Sequence, residues 1–148
     1  MYMFKTMLSI TLALCCVACS STQKNSDIDQ YWSTFRQAVL DNNRNKVICM
    51  TRFPFEVRGP DDSDPVKHYS RKEFLVIYGR LLAQSELLPS GEKDVWKWKS
   101  MRRLIIENNK IPPEDRLSPD FIRFYQFHQF EFQRIKGRWF FTRAYLEE

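Results

Sequence analysis

The stretch FIRFYQFHQFEFQRIKGRWFFTRAYL, residues 121–146, is the most aromatic part of the chain. Along its second half, apolar residues such as Phe130, Phe132 and Phe141 roughly alternate with polar ones. A period near two with many aromatic residues is typical of β-strands. Lys136-Gly137 stands midway, where a tight hairpin turn favours glycine. The sequence therefore predicts a long antiparallel hairpin whose aromatic face must be covered by the rest of the chain.

A first amphipathic helix is predicted over residues 28–40. Its apolar residues recur at spacings of four, three and four, at Ile28, Trp32, Phe35 and Val39. Asp27 precedes them as an N-cap, with Gln30 three residues on as the second half of a capping box. This helix supplies one face that can cover the hairpin.

A second amphipathic helix is predicted over residues 71–84. It begins at Ser70-Arg71-Lys72-Glu73, which has the spacing of a capping box. Its apolar face consists of Phe74, Ile77, Tyr78, Leu81 and Leu82. We expect the hairpin to pack on the helix faces that carry Phe35 and Phe74.

The segments between and after these helices are shorter. Asn45 is a candidate cap for a short helix that reaches Met50. A strand is predicted over residues 52–58, and Pro54, which lacks a backbone donor, predicts that this strand is an edge strand or begins there. Residues 59–65 form a turn-rich loop. Residues 95–109 remain open: Trp96 and Trp98 alternate as in a strand, whereas Ser100 could cap a helix that carries Met101, Leu104 and Ile105.

Composition and element order together predict one α+β domain over residues 27–148. The chain has 148 residues, of which 43% are hydrophobic and 15% aromatic, enough for a core and too apolar for a disordered chain. Its net charge of +5 comes from no long basic block, so it does not indicate a nucleic-acid partner. Helices that are separate from late antiparallel strands are typical of an α+β layer arrangement.

The N-terminus is predicted to be a signal peptide over residues 1–18. Lys5 precedes an uncharged apolar run from Met7 to Ala18, which as a helix is about 18 Å long and too short to cross a hydrocarbon core of about 30 Å. The run ends in Val17-Ala18-Cys19, which resembles the lipobox of bacterial lipoproteins, although Cys16 stands where leucine is usual. An ordinary signal peptide and an uncleaved anchor are the alternatives.

The lipobox resemblance implies that Cys19 is acylated, with palmitate among its fatty acids, and becomes the new N-terminus. Ser20, rather than aspartate, follows it, which implies retention in the outer membrane with the domain facing the periplasm. Residues 19–26 are then the lipidated cysteine and a polar, flexible tether. Because Cys15 and Cys16 leave with the signal, Cys49 is expected to be a core residue without an intramolecular disulfide.

Residues 28–146 resemble the nuclear-transport-factor-2-like (NTF2-like, or cystatin-like) superfamily, especially small bacterial proteins of unknown function. The resemblance depends on five short segments, namely Tyr31-Trp32 with Phe35, Ala38-Val39 before Asp41-Asn42, Arg52-Phe53-Pro54-Phe55, Ser70 with Phe74, and Gly137-Arg138-Trp139-Phe140-Phe141. It implies a curved sheet wrapped around helices, often with a pocket inside this cone. Some members are isomerases or dehydratases with an Asp/His pair in the pocket, and no such pair falls on matching positions here.

Two groups of residues are candidates for a functional site. His128 lies within a predicted strand, near a slip in the aromatic spacing, where a bulge could direct its side chain into a pocket; a surface histidine or a hydrogen-bonded core histidine is the alternative. Trp96-Lys97-Trp98-Lys99 interleaves aromatic rings and cations, which is typical either of an interaction surface for anionic partners or of a solvated basic edge with two packed indole rings. The carboxylates of loop 59–65 and His68 do not follow a calcium-loop pattern, so no metal site and no cofactor are predicted.

Two functions are compatible with these patterns. The first is a non-enzymatic outer-membrane lipoprotein that binds a protein or an envelope component, with an immunity protein against a periplasmic toxin as one variant. The second is a small-molecule-binding or weakly catalytic domain that uses the cone pocket. A polar, open cavity near His128 would favour the second, and a cavity filled by aromatic rings would favour the first. A homodimer is a further expectation, and a nucleic-acid partner is not expected.

Overall fold

A computed structural model describes residues 27–61 and 63–146 of the chain. The predicted signal peptide, Cys19 and the tether lie outside these residues. The elements in chain order are α1 (Ile28–Leu40), α2 (Arg44–Cys49), β1 (Thr51–Arg58), β2 (Lys67–Tyr69), α3 (Arg71–Ala83), β3 (Ser85–Pro89), β4 (Trp96–Ser100), α4 (Met101–Glu107), two 3-10 helices (Pro113–Leu117 and Pro119–Ile122), β5 (Phe124–Phe127), β6 (Phe130–Ile135) and β7 (Arg138–Tyr145). The α+β class is confirmed.

The C-terminal hairpin forms as predicted, from β6 and β7. Phe132 lies opposite Phe141, and the strands are joined by Lys136 and Gly137. Both turn residues have positive φ, 49° for Lys136 and 81° for Gly137. A two-residue turn with positive φ at both positions has the twist that matches a β-hairpin, which explains the glycine.

The main sheet has five strands in the order β2-β1-β7-β6-β5. β1 and β7 are parallel, while the other neighbours are antiparallel, so the prediction of a purely antiparallel sheet is wrong. The reason is that the sheet consists of two antiparallel units, β1–β2 and β5–β6–β7, which are joined by the parallel pairing of β1 with β7. β1 is therefore an interior strand that begins at Thr51, although Pro54 predicted an edge strand or one that begins there. Its ladder with β7 shifts register between Thr51 and Glu56, and β2 pairs only with residues 55–57, so neither neighbour pairs with Pro54.

The helices cover one face of this sheet, and aromatic rings fill the space between the two layers. The ring of Phe35 on α1 lies 5.1 Å from that of Phe132 and 5.4 Å from that of Phe141. The ring of Phe74 on α3 lies 4.9 Å from that of Phe55 and 6.2 Å from that of Phe141, measured between ring centroids. The predicted packing of the hairpin on Phe35 and Phe74 is confirmed. Burying each such ring stabilises the fold by roughly 1.5–3 kcal/mol.

Capping agrees with the sequence at one helix and differs at two. At α3 the capping box is present, because Ser70 Oγ accepts a hydrogen bond from Glu73 N and the Glu73 carboxylate accepts one from Ser70 N. At α1, Asp27 is the N-cap but its side chain makes no capping hydrogen bond, so the predicted box is wrong there. At α2 the cap is Asn43 instead of Asn45, because the helix begins at Arg44 and Asn43 accepts from Lys46 N.

Buried phenol groups accompany the aromatic core. Tyr31 donates a hydrogen bond to the Met50 carbonyl over 2.9 Å, and burial raises the pKa of this phenol well above its ordinary value. Burial likewise raises the pKa of Tyr78 to about 12. The pKa of Tyr125 is raised by burial and by the neighbouring Asp115 carboxylate. These phenols are therefore neutral in the folded protein under conditions in which the unfolded chain would ionise them.

We expect stability to fall in alkali for this reason. A phenol whose pKa in the folded protein lies above its value of about 10 in the unfolded chain stabilises the folded state. This contribution to stability is fully present below about pH 10 and is lost as the pH rises through the pKa of the folded protein. Unfolding should begin above pH 10, and tyrosinate absorbance should appear together with the loss of helical circular dichroism. Tyr78→Phe should make the decline less steep. Ionisation of these tyrosines well before any loss of helix signal would contradict the assignment.

Candidate interaction surface and candidate clefts

β3 and β4 form a two-stranded ribbon that is separate from the main sheet. Leu87 lies opposite Trp98, and Pro89 lies opposite Trp96. Since side chains alternate along a strand, these four residues share one face of the ribbon, which we call the tryptophan face. Trp96 is 58% exposed and Trp98 is 70% exposed. The expectation of two packed indole rings is therefore wrong, and the interaction surface remains as the alternative.

The other face of the ribbon fixes its base to the domain. Leu88 packs against the core, and Glu86 approaches His128 with 2.5 Å between a carboxylate oxygen and Nδ1. Lys99 forms an ion pair with Glu107 of α4 at 2.7 Å. Beyond this base, every residue from 91 to 98 is exposed, including Lys97. The distal half of the ribbon therefore stands clear of the described part of the domain on both faces.

Residues 95–109 satisfy both patterns that the sequence left open. The tryptophans lie on a strand, and Ser100, which ends this strand, accepts a hydrogen bond from Arg103 N as the N-cap of α4. Glu107 in the last turn of α4 binds Lys99 and Arg103, and these two hydrogen bonds hold the pKa of its carboxyl below the ordinary value. This ion pair network connects β4 to α4 next to the tryptophan face.

His128 lies in the turn between β5 and β6, and not within a strand as the sequence suggested. The strands pair through Phe127 and Phe130, so His128 and Gln129 are left as the two turn residues, and His128 has a φ of 51°. His128 lines a cleft of about 200 Å³, whose wall also includes Gln126, Gln129 and Tyr145, while its partner Glu86 is not part of this wall. Gln129 Oε1 is buried there without a hydrogen-bond partner among the described residues.

A row of polar side chains crosses the sheet on the face opposite the helices. His68, Glu56, Arg143, Glu131 and Gln126 are successive register partners across all five strands, and we call them the polar row. Arg143 donates to Glu56 and lies 3.4 Å from the Glu131 carboxylate. Burial alone would lower the pKa of Arg143, but its hydrogen bond with Glu56 and the charge of Glu131 raise it above the ordinary value.

Glu131 is the most buried member of the polar row, with 3% exposure. One of its oxygens accepts a hydrogen bond from the Tyr145 hydroxyl over 2.6 Å, and this bond raises the pKa of Tyr145. Strand alternation alone would place Arg143 on the same face as Phe141, and the register shift between β6 and β7 turns it to the opposite face. The row could not have been found from the sequence, because it depends on this shift and on the register between strands that are distant in sequence.

A second, larger cleft of about 360 Å³ lies at the end of β1. Its wall combines cations with the carboxylates of loop residues Asp61 and Asp64, and its lining includes Arg58, Lys67, Tyr69 and Arg80. His68 is directed to Glu56 at 3.8 Å instead of joining the loop carboxylates. Within residues 27–61 and 63–146, no three His, Cys, Asp or Glu side chains converge as a metal site would require.

Cys49 differs from the sequence expectation. It ends α2, is half-buried and is disulfide-bonded, so the prediction of a core cysteine without a disulfide is wrong. The other cysteines of the chain, Cys15, Cys16 and Cys19, lie outside the described residues.

Comparison of the chain with protein-family models, with curated proteins and with solved structures finds no match. Among the described residues, no helix combines the length and the apolar character needed to cross a bilayer. Any assignment of function therefore depends on the geometry of the tryptophan face, the polar row and the two clefts.

Proposed function

We propose that this protein is a periplasm-facing outer-membrane lipoprotein, anchored through Cys19, whose domain binds a protein or an envelope component without catalysing a reaction. The observation that carries this proposal is the tryptophan face. Two indole rings that are 58% and 70% exposed form an uncovered apolar surface together with Leu87, which is 45% exposed. Tryptophan is enriched at binding hot spots, and a contiguous exposed apolar patch is typical of an interaction site.

The interior of the domain supports binding at the surface over chemistry in a central pocket. Trp32, Phe35 and Phe132 occupy the space between the helices and the sheet and are each 1% exposed or less. The clefts at His128 and at the end of β1 lie at strand ends or on the open face instead. An NTF2-like domain, with helices packed on one face of a sheet that ends in a long hairpin, is part of this proposal. The immunity-protein variant fits the same small, membrane-tethered binding domain.

The anchoring part predicts an all-or-none effect of Cys19→Ala. Without the thiol there is no acylation, so the protein should leave the membrane fraction and lose radiolabelled palmitate, because buried acyl methylenes contribute about 0.8 kcal/mol each to membrane attachment. Acylation requires a Cys19 thiol that is not held in a disulfide, so Cys49→Ala, which removes the disulfide-bonded cysteine of α2, is the matched control and should keep both label and membrane location. Continued palmitate labelling of Cys19→Ala would remove this part of the proposal.

The binding part is tested by crosslinking in intact cells. A photo-crosslinking amino acid at position 98 should capture a discrete partner, whether protein or lipid. The same group at position 117, which is 83% exposed but belongs to a 3-10 helix away from the ribbon in sequence, is the control. Equal, diffuse capture at both positions would speak against a specific surface on the ribbon.

The cleft at His128 favours a second candidate function, the binding of a small polar molecule. Its wall carries the imidazole of His128, which Glu86 holds from outside the cleft, and the unpartnered Gln129 Oε1, which is a hydrogen-bond acceptor that a ligand donor could satisfy. A screen of polar metabolites by thermal shift, with His128→Gln as the comparison, tests it. Stabilisation of the wild type by a ligand that leaves His128→Gln unaffected would support this function.

A further inference from the structure

We propose that the tryptophan face lies flat on the lipid surface of the membrane that holds the protein, at the depth of the headgroups. This inference deepens the proposed function and rests on its anchoring part. It assigns a lipid surface to the ribbon as the component that the ribbon binds. The consequence is a second attachment point, which orients the domain relative to the bilayer.

The first support is the shape of the ribbon. Residues 91–98 are exposed on both faces, so the ribbon can reach a flat surface without the body of the domain in between. A two-stranded ribbon is marginally stable alone and usually has one face covered. No described residue covers Trp96 or Trp98, which leaves the apolar side of the ribbon available to a surface outside the chain.

The second support is the chemistry of the side chains. Indole rings combine an apolar body with a polar N–H and are enriched at the interface between hydrocarbon and water. Lys97 lies between the two tryptophans in sequence but, by strand alternation, on the other face of the ribbon, so the cations that follow the tryptophan face along the chain are Arg102 and Arg103 at the start of α4. The net charge of +5 adds a weak general attraction to anionic headgroups.

The third support is the charged tip, which decides the orientation. Glu92, Lys93 and Asp94 lie in the loop between β3 and β4. Their charged groups make insertion of the tip into hydrocarbon costly. The open strand edges also need water or another partner for their backbone groups. Contact through the flat face at headgroup depth satisfies both conditions, because the tip and the edges stay hydrated.

The fourth support is the short tether. Residues 20–26 can span at most about 25 Å when fully extended. A domain of this size has a radius of gyration of about 14 Å, so the anchored domain stays close to the bilayer at all times. Such a tether gives a high effective concentration of the ribbon at the surface, and a weak interfacial affinity is then enough to hold it there.

The experiment uses the tryptophans themselves as probes. The chain has four tryptophans, of which Trp32 and Trp139 are 1% and 3% exposed. The full chain, purified with its lipid, is reconstituted into vesicles of phosphatidylethanolamine and phosphatidylglycerol that contain brominated lipids. We expect brominated lipid to quench the emission of Trp96 and Trp98. Acrylamide in the water should quench this emission less in the vesicles than in samples of the same chain that contain little lipid and no detergent.

The matched variant is Trp96→Ser together with Trp98→Ser. It should float with the vesicles like the wild type but lose the quenching by brominated lipid, since its two remaining tryptophans are buried. A protein-docking surface gives a different result: the chain floats, the brominated lipid has no effect and acrylamide still reaches the exposed rings. That outcome overturns the lipid contact and leaves the proposed function intact.

The anchoring and the ribbon contact are separated by Cys19→Ala in the same assay. If Cys19→Ala no longer floats with vesicles at low lipid but is still quenched by brominated lipid at high lipid, both the anchoring through Cys19 and the ribbon contact are supported, because the ribbon then binds weakly by itself. Undiminished flotation of Cys19→Ala at low lipid overturns the anchoring alone. Absence of quenching in every chain, even at high lipid, overturns the ribbon contact whatever the anchoring result.

Discussion

Trp32→Ala is expected to lower the free energy of unfolding by about 3–5 kcal/mol, which is the usual cost of deleting a large buried aromatic side chain. Its ring lies 4.7 Å from that of Phe127 and 5.9 Å from those of Tyr125 and Phe132. Its Nε1 also donates to the Asn108 carbonyl over 2.9 Å. The substitution therefore leaves a cavity between α1 and the sheet and an acceptor without its donor. Denaturant unfolding followed by circular dichroism measures the loss.

Trp98→Ala is the matched control, because it removes the same side chain from a site that is 70% exposed. We expect its free energy of unfolding to stay within about 0.5 kcal/mol of the wild type. Trp32→Phe should fall between the two, since it keeps a ring in place. A loss for Trp98→Ala as large as that for Trp32→Ala would mean that the ribbon tryptophan supports the fold and is not an interaction residue.

Arg143→Met should destabilise the protein by about 3 kcal/mol through the polar row. Removing one partner of a buried ion pair leaves the other charge uncompensated, which costs about 3–5 kcal/mol. The Glu131 side chain is 4% exposed, whereas that of Glu56 is 33% exposed and keeps part of its hydration. The lower end of the range is therefore expected, and the cost falls mainly on Glu131. Equilibrium unfolding near neutral pH measures it.

A second substitution in the polar row identifies the cause of this loss. Adding Glu131→Gln to Arg143→Met removes the uncompensated charge and should recover about 1 kcal/mol or more, so the two changes are not additive. Glu131→Gln alone should have a smaller effect, because Arg143 keeps its hydrogen bonds to Glu56. Additive losses would show that Arg143 acts through its packing and not through the charge of Glu131.

Local patterns in the sequence predicted the elements that depend on neighbouring residues. The hairpin turn at Lys136-Gly137, the capping box at Ser70 and the apolar stripe of α1 are each set by spacings of a few residues, and each agrees with the structure. β3 was missed because Ser85–Pro89 is too short and too mixed to show a period. The N-cap of α2 is Asn43, two residues before the predicted Asn45, and helix ends commonly differ by one or two residues between assignments.

Features that depend on distant residues could not be predicted. The interior position of β1 follows from a parallel pairing between Glu56 and Arg143, which are 87 residues apart. The exposure of Trp96 and Trp98 follows from the ribbon leaving the body of the domain, and the same alternation would fit a packed strand. The contact of His128 with Glu86 spans 42 residues and depends on the β5–β6 turn. Sequence spacing carries no information about such contacts.

The strand in the middle of the sheet is the last of the described strands to be synthesised. β7 pairs with β1 on one side and with β6 on the other, so the sheet is incomplete until residues 138–145 have been translated. Contacts between such distant segments form slowly, because a long loop must close first. A growing polypeptide therefore cannot complete the main sheet before β7 has been translated, and this delay suits the passage through the inner membrane that the proposed anchoring requires.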